Sequence, residues 1–277
     1  MILVNGEYKD QIDLSDRGFQ YGDGLFETIA VRDGKPVCFD RHLARLKAGC
    51  ERLLIPFPGT ELLTLEAQQL SREATDSVLK IILTRGSGGR GYRQPDIITT
   101  TRVLSLHPFP EYPLVYKNEG VVTRFCNTRL GINPALAGIK HLNRLEQVLA
   151  RAEWSDPFIQ EGIMLDVNDQ VIEGTMTNLF YVKNNRLYTS SIDQSGIAGI
   201  IRGIIIQIGA LIGYPVVEHK FTREQLLSAD ELFLTNSIIE IWPVRQVDNT
   251  AFEKGLITEQ IQTILPQFYN ETIKDDF

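Results

Sequence analysis

Residues 138–151 read Gly138-Ile-Lys140-His-Leu-Asn-Arg144-Leu-Glu-Gln-Val-Leu-Ala-Arg151, and we interpret the rest of the chain outward from them. From Leu142 onward the apolar side chains recur every three or four positions, which predicts an amphipathic helix. Lys140 precedes this helix, at the end of a loop that starts at Gly131. A lysine at such a junction can be partly desolvated, which lowers its pKa and suits Schiff-base chemistry. Most lysines in such a position are ordinary surface charges, so other residues must decide its role.

Composition restricts the class of protein. The chain has 277 residues, 43% apolar and 23% charged, which is enough for two ordinary globular domains. A net charge of −7 argues against a nucleic-acid surface, so an anionic ligand must be held by local positive patches. The three cysteines are widely spaced and form neither a disulfide framework nor a metal-binding pair. We therefore expect a cytoplasmic protein with no metal, membrane or nucleic-acid partner.

The first part of the chain predicts a small domain of mixed strands and helices. Phe26 to Arg32 is rich in β-forming residues and ends at Asp33-Gly34, a strong hairpin signal. Asp40 is predicted to be the N-cap of the helix that follows. Three prolines within six residues mark a linker. We therefore predict an N-terminal α+β domain at 1–109, a linker at 110–113, and a larger C-terminal α/β domain at 114–277 that carries Lys140.

The second part of the chain contains its own start and stop signals. Gly199 is predicted to open a helix that runs to about Ile212, and this apolar segment is too short to span a membrane. Thr222 and Gln225 have the spacing of a capping box. Asn-Asp and Asn-Asn pairs lie between short β-forming runs and predict hairpin turns.

A further set of motifs begins at Glu173. The chain reads Glu173-Gly-Thr175-Met-Thr-Asn178-Leu-Phe180, then Leu187-Tyr-Thr189, then Ile197-Ala-Gly199-Ile200-Ile201-Arg202. In order and spacing this resembles the signature of the class IV aminotransferase family, the fold-type IV enzymes that use pyridoxal 5'-phosphate (PLP). The resemblance implies an α+β, two-domain, D-amino-acid aminotransferase-like fold with the cofactor between the domains. It also implies a homodimer.

The resemblance assigns cofactor-binding roles to particular residues. Lys140 would form the imine with the cofactor aldehyde, and Glu173 would hold the protonated pyridine nitrogen. The backbone N–H groups of Ile200 and Ile201, at a helix N-terminus, would bind the phosphate. Relatives often carry threonine where this chain has Ile201, so no hydroxyl adds to those donors here. The remaining phosphate contacts would come from Arg45, Asn236 and Ser237.

Three segments resemble the lyase branch of the family more than its transaminases: residues 21–28, 85–92 and 136–149. In this branch Thr28 would pass a proton to the leaving group of a β-elimination. Arg90, Tyr92 and Arg93 are predicted to hold the carboxylates of a small dicarboxylate substrate. Leu145 stands where branched-chain aminotransferases commonly place a tyrosine, which also favours the lyase. Two alternatives remain open: a transaminase acting on D-amino or branched-chain amino acids, and a non-catalytic protein that retains the fold.

Overall fold

The computed structural model describes residues 1–269, which divide into two compact units. The first unit contains residues 1–110 and 139–143, and the second contains 111–138 and 144–269. Within the described residues, no helix has both the length and the apolar character needed to cross a membrane. The same part of the chain contains no group of three or more His, Cys, Asp or Glu side chains arranged to hold a metal ion.

The first unit is an antiparallel sheet covered on one face by helices. Its elements are β1 (Ile2–Val4), β2 (Glu7–Tyr8), α1 (Arg17–Tyr21), β3 (Gly24–Arg32), β4 (Lys35–Pro36), α2 (Phe39–Leu53), α3 (Thr60–Ser71), β5 (Ser77–Thr84) and β6 (Thr101–Pro108). The strands are ordered β2-β1-β6-β5-β3-β4. Alternate residues of each strand point to one face, and α2 and α3 bury that face. The strand side chains buried in its core include Leu3, Leu25, Ile29, Leu79, Ile81, Leu83 and Leu104.

Short sequence motifs predicted several of these elements correctly, but the predicted N-cap of α2 was wrong. Arg32 pairs with Lys35 across Asp33-Gly34, and both turn residues have positive φ, so the predicted hairpin is confirmed. Asp40 is not the N-cap of α2, because the helix already begins at Phe39. Asp40 instead lies in the first turn, where its charge complements the positive end of the helix.

Residues 139–143 form an edge segment against β3. His141 bridges to Leu25, Phe26 N–H donates to the Lys140 carbonyl at 2.9 Å, and Leu142 N–H donates to the Gly24 carbonyl at 3.0 Å. These backbone bonds place Lys140 in the first unit, whereas the sequence-based boundaries assign all of 114–277 to the C-terminal domain. Sequence position does not reveal such a long-range strand pairing.

The second unit is built on a nine-stranded sheet. Its strands are β7 (Val121–Leu130), β8 (Glu161–Asp166), β9 (Val171–Gly174), β10 (Asn178–Lys183), β11 (Arg186–Ser190), β12 (Val216–His219), β13 (Glu231–Asn236), β14 (Glu240–Val247) and β15 (Thr250–Ala251). The order is β12-β11-β10-β13-β14-β7-β8-β9, and β15 pairs with β14. Its helices are α4 (Leu114–Asn118), α5 (Leu145–Arg151), α6 (Ile200–Leu211), α7 (Arg223–Leu227) and α8 (Leu256–Ile264), and a 3-10 helix follows at Leu265–Phe268.

The most apolar helix of this unit, α6, packs on the sheet. Its buried side chains include Ile201, Ile204, Ile205 and Ile208, and it lies against β13. The predicted opening at Gly199 is confirmed, because Gly199 is the N-cap. The capping box of Thr222 and Gln225 is likewise confirmed at the start of α7.

Helix α5 is shorter than the apolar pattern predicted. It begins at Leu145, because Leu142 is held by its backbone bond in the edge segment. Ala150 is buried, but Leu145, Val148 and Leu149 are 75%, 60% and 61% exposed in the single chain. The apolar stripe of this helix therefore does not pack into the core of its own unit.

Candidate active site

The second unit brings its three predicted cofactor-binding segments to the same place. Glu173 lies near the end of β9, and the chain turns through 174–177 into β10, which starts at Asn178. Asn178 pairs with Thr235 on β13, the strand that leads into Asn236 and Ser237. The Asn178 side chain donates to the Ile197 carbonyl at 2.9 Å, just before α6. One strand end therefore connects Glu173, the helix start and the turn after β13.

Glu173 is a buried carboxylate with defined partners. Its Oε2 atom accepts the Ile197 N–H at 2.9 Å, and Asn178 Nδ2 lies 3.5 Å away. Burial lowers the pKa of Arg144, and the negative charges of Glu173 and Glu146 act in the opposite direction, so Glu173 and Arg144 are electrostatically coupled. A buried carboxylate suits the predicted role of holding a protonated ring nitrogen, because it favours a cation beside it.

The start of α6 has the geometry of an anion site. Gly199 has no side chain with which to cap the helix, and the first backbone N–H groups, at Ile200 and Ile201, belong to the positive end of the helix dipole. A Cβ atom at Gly199 would lie 2.0 Å from Asn178 Oδ1, so any larger residue would displace the Asn178 side chain. The Ile201 side chain is buried in the core, which leaves only its backbone to face a ligand. Arg202 anchors this turn by donating to the Ser190 carbonyl at 2.9 Å.

The turn after β13 is shaped by Asn236. Its Oδ1 atom accepts the N–H groups of Ile238 and Ile239 at 2.8 and 2.9 Å, and its Nδ2 atom donates to the Met176 carbonyl at 3.1 Å. The amide of Asn236 thus folds the turn and ties it to the 174–177 turn. The predicted contributions of Asn236 and of half-buried Ser237 to anion binding therefore stay predictions.

In the first unit, Lys140 lies beside Phe26. The Lys140 Nζ atom is 4.4 Å from the centre of the Phe26 ring, and both side chains are half-buried. Thr28 follows two residues after Phe26 on β3, so both side chains point to the same face of the sheet. The structure therefore brings Lys140 to the sheet face that carries Thr28, and the predicted roles of the two residues in proton transfer stay predictions.

Arg45 belongs to a buried charge cluster that the sequence did not reveal. Its Nε and Nη2 atoms donate to the two carboxylate oxygens of Glu27 at 2.8 and 2.5 Å, and His42 Nδ1 lies 2.6 Å from Glu27 Oε2. Burial alone would raise the pKa of Glu27, but Arg45 and His42 together lower it to about 2. Burial lowers the pKa of His42. One signal in the sequence could have indicated this cluster. Glu27 lies on the face of β3 that points to the core, whereas Phe26 and Thr28 lie on the other face.

The glycine-rich loop after β5 is anchored at its base. Arg85 donates to both carboxylate oxygens of Asp23 at 2.8 and 3.0 Å, and to the carbonyls of Leu53 and Leu54 at 2.8 Å. Arg17 joins Asp23 at 2.9 Å and also donates to the Gly91 carbonyl at 2.9 Å. The buried arginines of this region therefore support the loop.

The three predicted substrate residues lie on the outer part of this loop. Tyr92 is 89% exposed, and its ring meets the ring of Tyr21 edge-on with centroids 5.7 Å apart. Arg90 is exposed, and Arg93 pairs with Asp96 at 2.9 Å on the surface. Within the described residues, no hydrogen bond joins Arg90, Tyr92 or Arg93 to Lys140 or Thr28, so their predicted role stays a prediction.

The chain is similar to known proteins both in sequence and in fold. The amino-transferase class IV family model matches residues 24–247. Aminodeoxychorismate lyase of Vibrio harveyi is 37% identical over 266 residues, covering 95% of this chain and 98% of that protein. The crystal structure of 4-amino-4-deoxychorismate lyase from Pseudomonas aeruginosa has a TM-score of 0.94 and 43% sequence identity, and the match covers 98% of this chain and 100% of that chain. A putative branched-chain-amino-acid aminotransferase of Methanocaldococcus jannaschii is 31% identical over 274 residues, covering 96% and 94%.

Proposed function

The chain belongs to the class IV aminotransferase family, and on this premise we propose that it is a lyase that converts 4-amino-4-deoxychorismate to 4-aminobenzoate and pyruvate. The observation that carries the proposal is 37% and 43% identity to two aminodeoxychorismate lyases over nearly the whole chain. The family match also confirms the predicted two-domain fold-type IV architecture and the predicted use of PLP. Formation of 4-aminobenzoate would place the enzyme in folate biosynthesis, in the cytoplasm.

The residues of the chain fit this cofactor. When bound, PLP supplies an aldehyde that combines with an amine, and a ring that accepts electrons. Lys140 would supply the amine, and buried Glu173 would keep the ring nitrogen protonated. The N–H groups of Ile200 and Ile201 would hold the phosphate, a role that the helix start at Gly199, which has no capping side chain, supports. The turn after β13, with Ser237 and the backbone of Asn236, and the guanidinium of Arg45 would complete the phosphate site.

The chemical step requires two proton transfers by the protein. Lys140, as general base, would remove the proton from the amine-bearing carbon of the substrate. Thr28 would pass a proton to the enolpyruvyl ether oxygen as the carbon–oxygen bond breaks. The ring of the product becomes aromatic, and the released enolpyruvate becomes pyruvate. Atoms balance, because the substrate loses only enolpyruvate and no co-substrate is consumed.

Recognition of the two substrate carboxylates is assigned to the loop after β5. Arg90 and Arg93 would pair with the carboxylates and Tyr92 would donate a hydrogen bond. The bonds of Arg85 and Arg17 to Asp23 support this proposal, because they fix the base of the loop while its tip stays exposed.

We further propose that the protein acts as a homodimer. The exposed apolar stripe of α5, formed by Leu145, Val148 and Leu149, supports this, because a contiguous apolar patch commonly marks a protein interface. Light scattering on the purified protein would measure the mass directly. A Leu149→Glu variant should shift the population toward monomer, and a wild-type mass of one chain would contradict the proposal.

The 31% identity to the putative aminotransferase of Methanocaldococcus jannaschii is the reason to test the transaminase alternative. One assay separates it from the lyase. The lyase should release 4-aminobenzoate from 4-amino-4-deoxychorismate with no keto acid added. Amino transfer from D-alanine or a branched-chain amino acid to a keto acid, without release of 4-aminobenzoate, would refute the proposal. The Lys140→Ala variant should lose both the visible absorption of the bound cofactor and the activity. A wild-type protein with no such absorption would be a non-catalytic protein of the same fold.

A further inference from the structure

Glu161, at the start of β8, is a buried carboxylate that the proposed chemistry does not use. It is fully buried and lies beneath the turn of residues 174–177, which separates Glu173 from Asn178. Its Oε1 atom accepts from Gly162 N at 2.8 Å, from Thr175 N at 3.1 Å and from Thr175 Oγ1 at 2.5 Å. Its Oε2 atom accepts from the N–H of Met176 and from the hydroxyl of Thr177, each at 3.1 Å.

The turn wraps closely around this carboxylate. Gly174 N–H donates to the Thr177 carbonyl at 2.7 Å, which closes the turn. A Cβ atom at Gly174 would lie 2.1 Å from Thr177 Oγ1 and 2.9 Å from Glu161 Oε2, so a larger residue would displace both side chains. Burial raises the pKa of Glu161, and the hydrogen bonds from the turn act in the opposite direction. Since both oxygens face backbone N–H groups, the carboxylate acts as the centre on which the turn folds.

We propose that Glu161 is a positioning residue that sets the place of Glu173 against the cofactor ring through this turn. The inference rests on the proposed cofactor role of Glu173. Glu173 directly precedes the turn and Asn178 directly follows it, and Asn178 in turn reaches the Ile197 carbonyl and the Gly199 position. A shift of the turn would therefore move the ring carboxylate and the start of α6 together. Small displacements matter here, because such a site works only within about 0.5 Å of its productive geometry.

The test is the Glu161→Gln variant. An amide NH2 group in either orientation would face a backbone N–H, that of Met176 or those of Gly162 and Thr175, so the turn must shift. We expect the dissociation constant for PLP, titrated into the cofactor-free protein, to rise about tenfold, which corresponds to about 1.4 kcal/mol. The pH at which the visible band of the Lys140-linked cofactor changes should also move. Amide exchange at Thr175 and Met176 should accelerate in the cofactor-free protein.

Glu231 provides a matched control in the same unit. It is also buried, and it accepts from Ile257 N at 3.3 Å, Thr258 N at 2.9 Å and Thr258 Oγ1 at 2.7 Å at the start of α8. Glu231→Gln should lower stability and leave both PLP affinity and the pH titration unchanged. Should Glu161→Gln fail to fold, Thr175→Val, which removes one donor, is compared with Thr258→Val, which removes the corresponding donor to Glu231.

A double-variant cycle distinguishes positioning from a general loss of structure. If Glu161 acts through Glu173, Glu161→Gln should weaken PLP binding less than twofold in a Glu173→Gln background. Equal PLP affinity and an unchanged pH titration in Glu161→Gln, or effects that multiply in the double variant, would overturn the inference. A wild-type protein that binds PLP but releases no 4-aminobenzoate would refute only the lyase proposal. The PLP affinities of the Glu161→Gln and Glu231→Gln variants would still decide whether Glu161 positions Glu173.

Discussion

Replacement of Gly199 by alanine is the sharpest test of how the second unit builds its anion site. The new Cβ would lie 2.0 Å from Asn178 Oδ1, well inside any normal contact. The Asn178 side chain must therefore move and give up its 2.9 Å bond to the Ile197 carbonyl. Overpacking costs about 1–3 kcal/mol, and a buried hydrogen bond left unmade costs about 1–3 kcal/mol more. We expect the free energy of unfolding of this unit to fall by about 2–4 kcal/mol.

Gly203 provides the control, one turn further along the same helix. A Cβ there meets nothing within 4 Å among the described residues, so Gly203→Ala carries only the favourable helix propensity of alanine. That variant should therefore stabilise the unit by about 0.5–1 kcal/mol. The opposite signs of the two variants separate a local clash from a general effect of replacing glycine in α6.

Tryptophan fluorescence during urea unfolding is the appropriate assay. Both tryptophans of the chain, Trp154 and Trp242, are buried in the second unit, so their emission reports on that unit. Titration with PLP gives a second measurement, in which Gly199→Ala should bind more weakly and Gly203→Ala should match the wild type. Equal stability and equal PLP affinity of Gly199→Ala and the wild type would refute the argument.

Three further outcomes are expected. The pKa of Glu27 is about 2 in the folded chain against an ordinary value of 4.5, so its ion pair contributes stability above pH 4.5 that is lost as the pH falls toward 2. This pH dependence of the unfolding free energy is of the order of 3 kcal/mol, and Glu27→Gln should remove it. Amide exchange in β3 between pH 2 and pH 5 measures the effect, and an unchanged dependence would contradict the ion-pair assignment. Thr28→Val should lower kcat for 4-aminobenzoate release about 100-fold or more without weakening PLP binding, while Thr28→Ser should retain activity; an active valine variant would exclude the proton relay. Arg90→Ala should raise KM about tenfold or more and leave kcat and the visible band unchanged, and an unchanged KM would remove Arg90 from the substrate site.

Many local elements of the fold were predictable because neighbouring residues determine them. The Asp33-Gly34 hairpin, the helix start at Gly199 and the Thr222 capping box depend on interactions over two to four positions. The helix predicted from Leu142 fails at its start for the opposite reason. A backbone bond to Gly24, far away in sequence, holds Leu142 in an edge segment, so the helix begins at Leu145.

The candidate site likewise has a part that the sequence predicts and a part that only the structure shows. The motif that starts at Glu173 resembles the signature of the family, and that resemblance implies the cofactor role predicted for Lys140. The partners of those residues do not follow from the motif. Glu161 beneath the 174–177 turn, and Glu27 between His42 and Arg45, are carboxylates whose importance depends on burial and on partners distant in sequence.

By itself, the amino-acid sequence was sufficient for the two-domain fold-type IV class and the cofactor, because its motifs resemble the signature of a known family, and that resemblance also implied which residues would serve the cofactor. Three features were visible only in the tertiary structure. Lys140 lies on an edge segment beside β3, the Asn236 side chain forms hydrogen bonds within its own turn, and the apolar stripe of α5 around Leu149 is exposed. The physical reason is that burial and long-range hydrogen bonding depend on which distant segments pack together. A one-dimensional pattern does not contain that information.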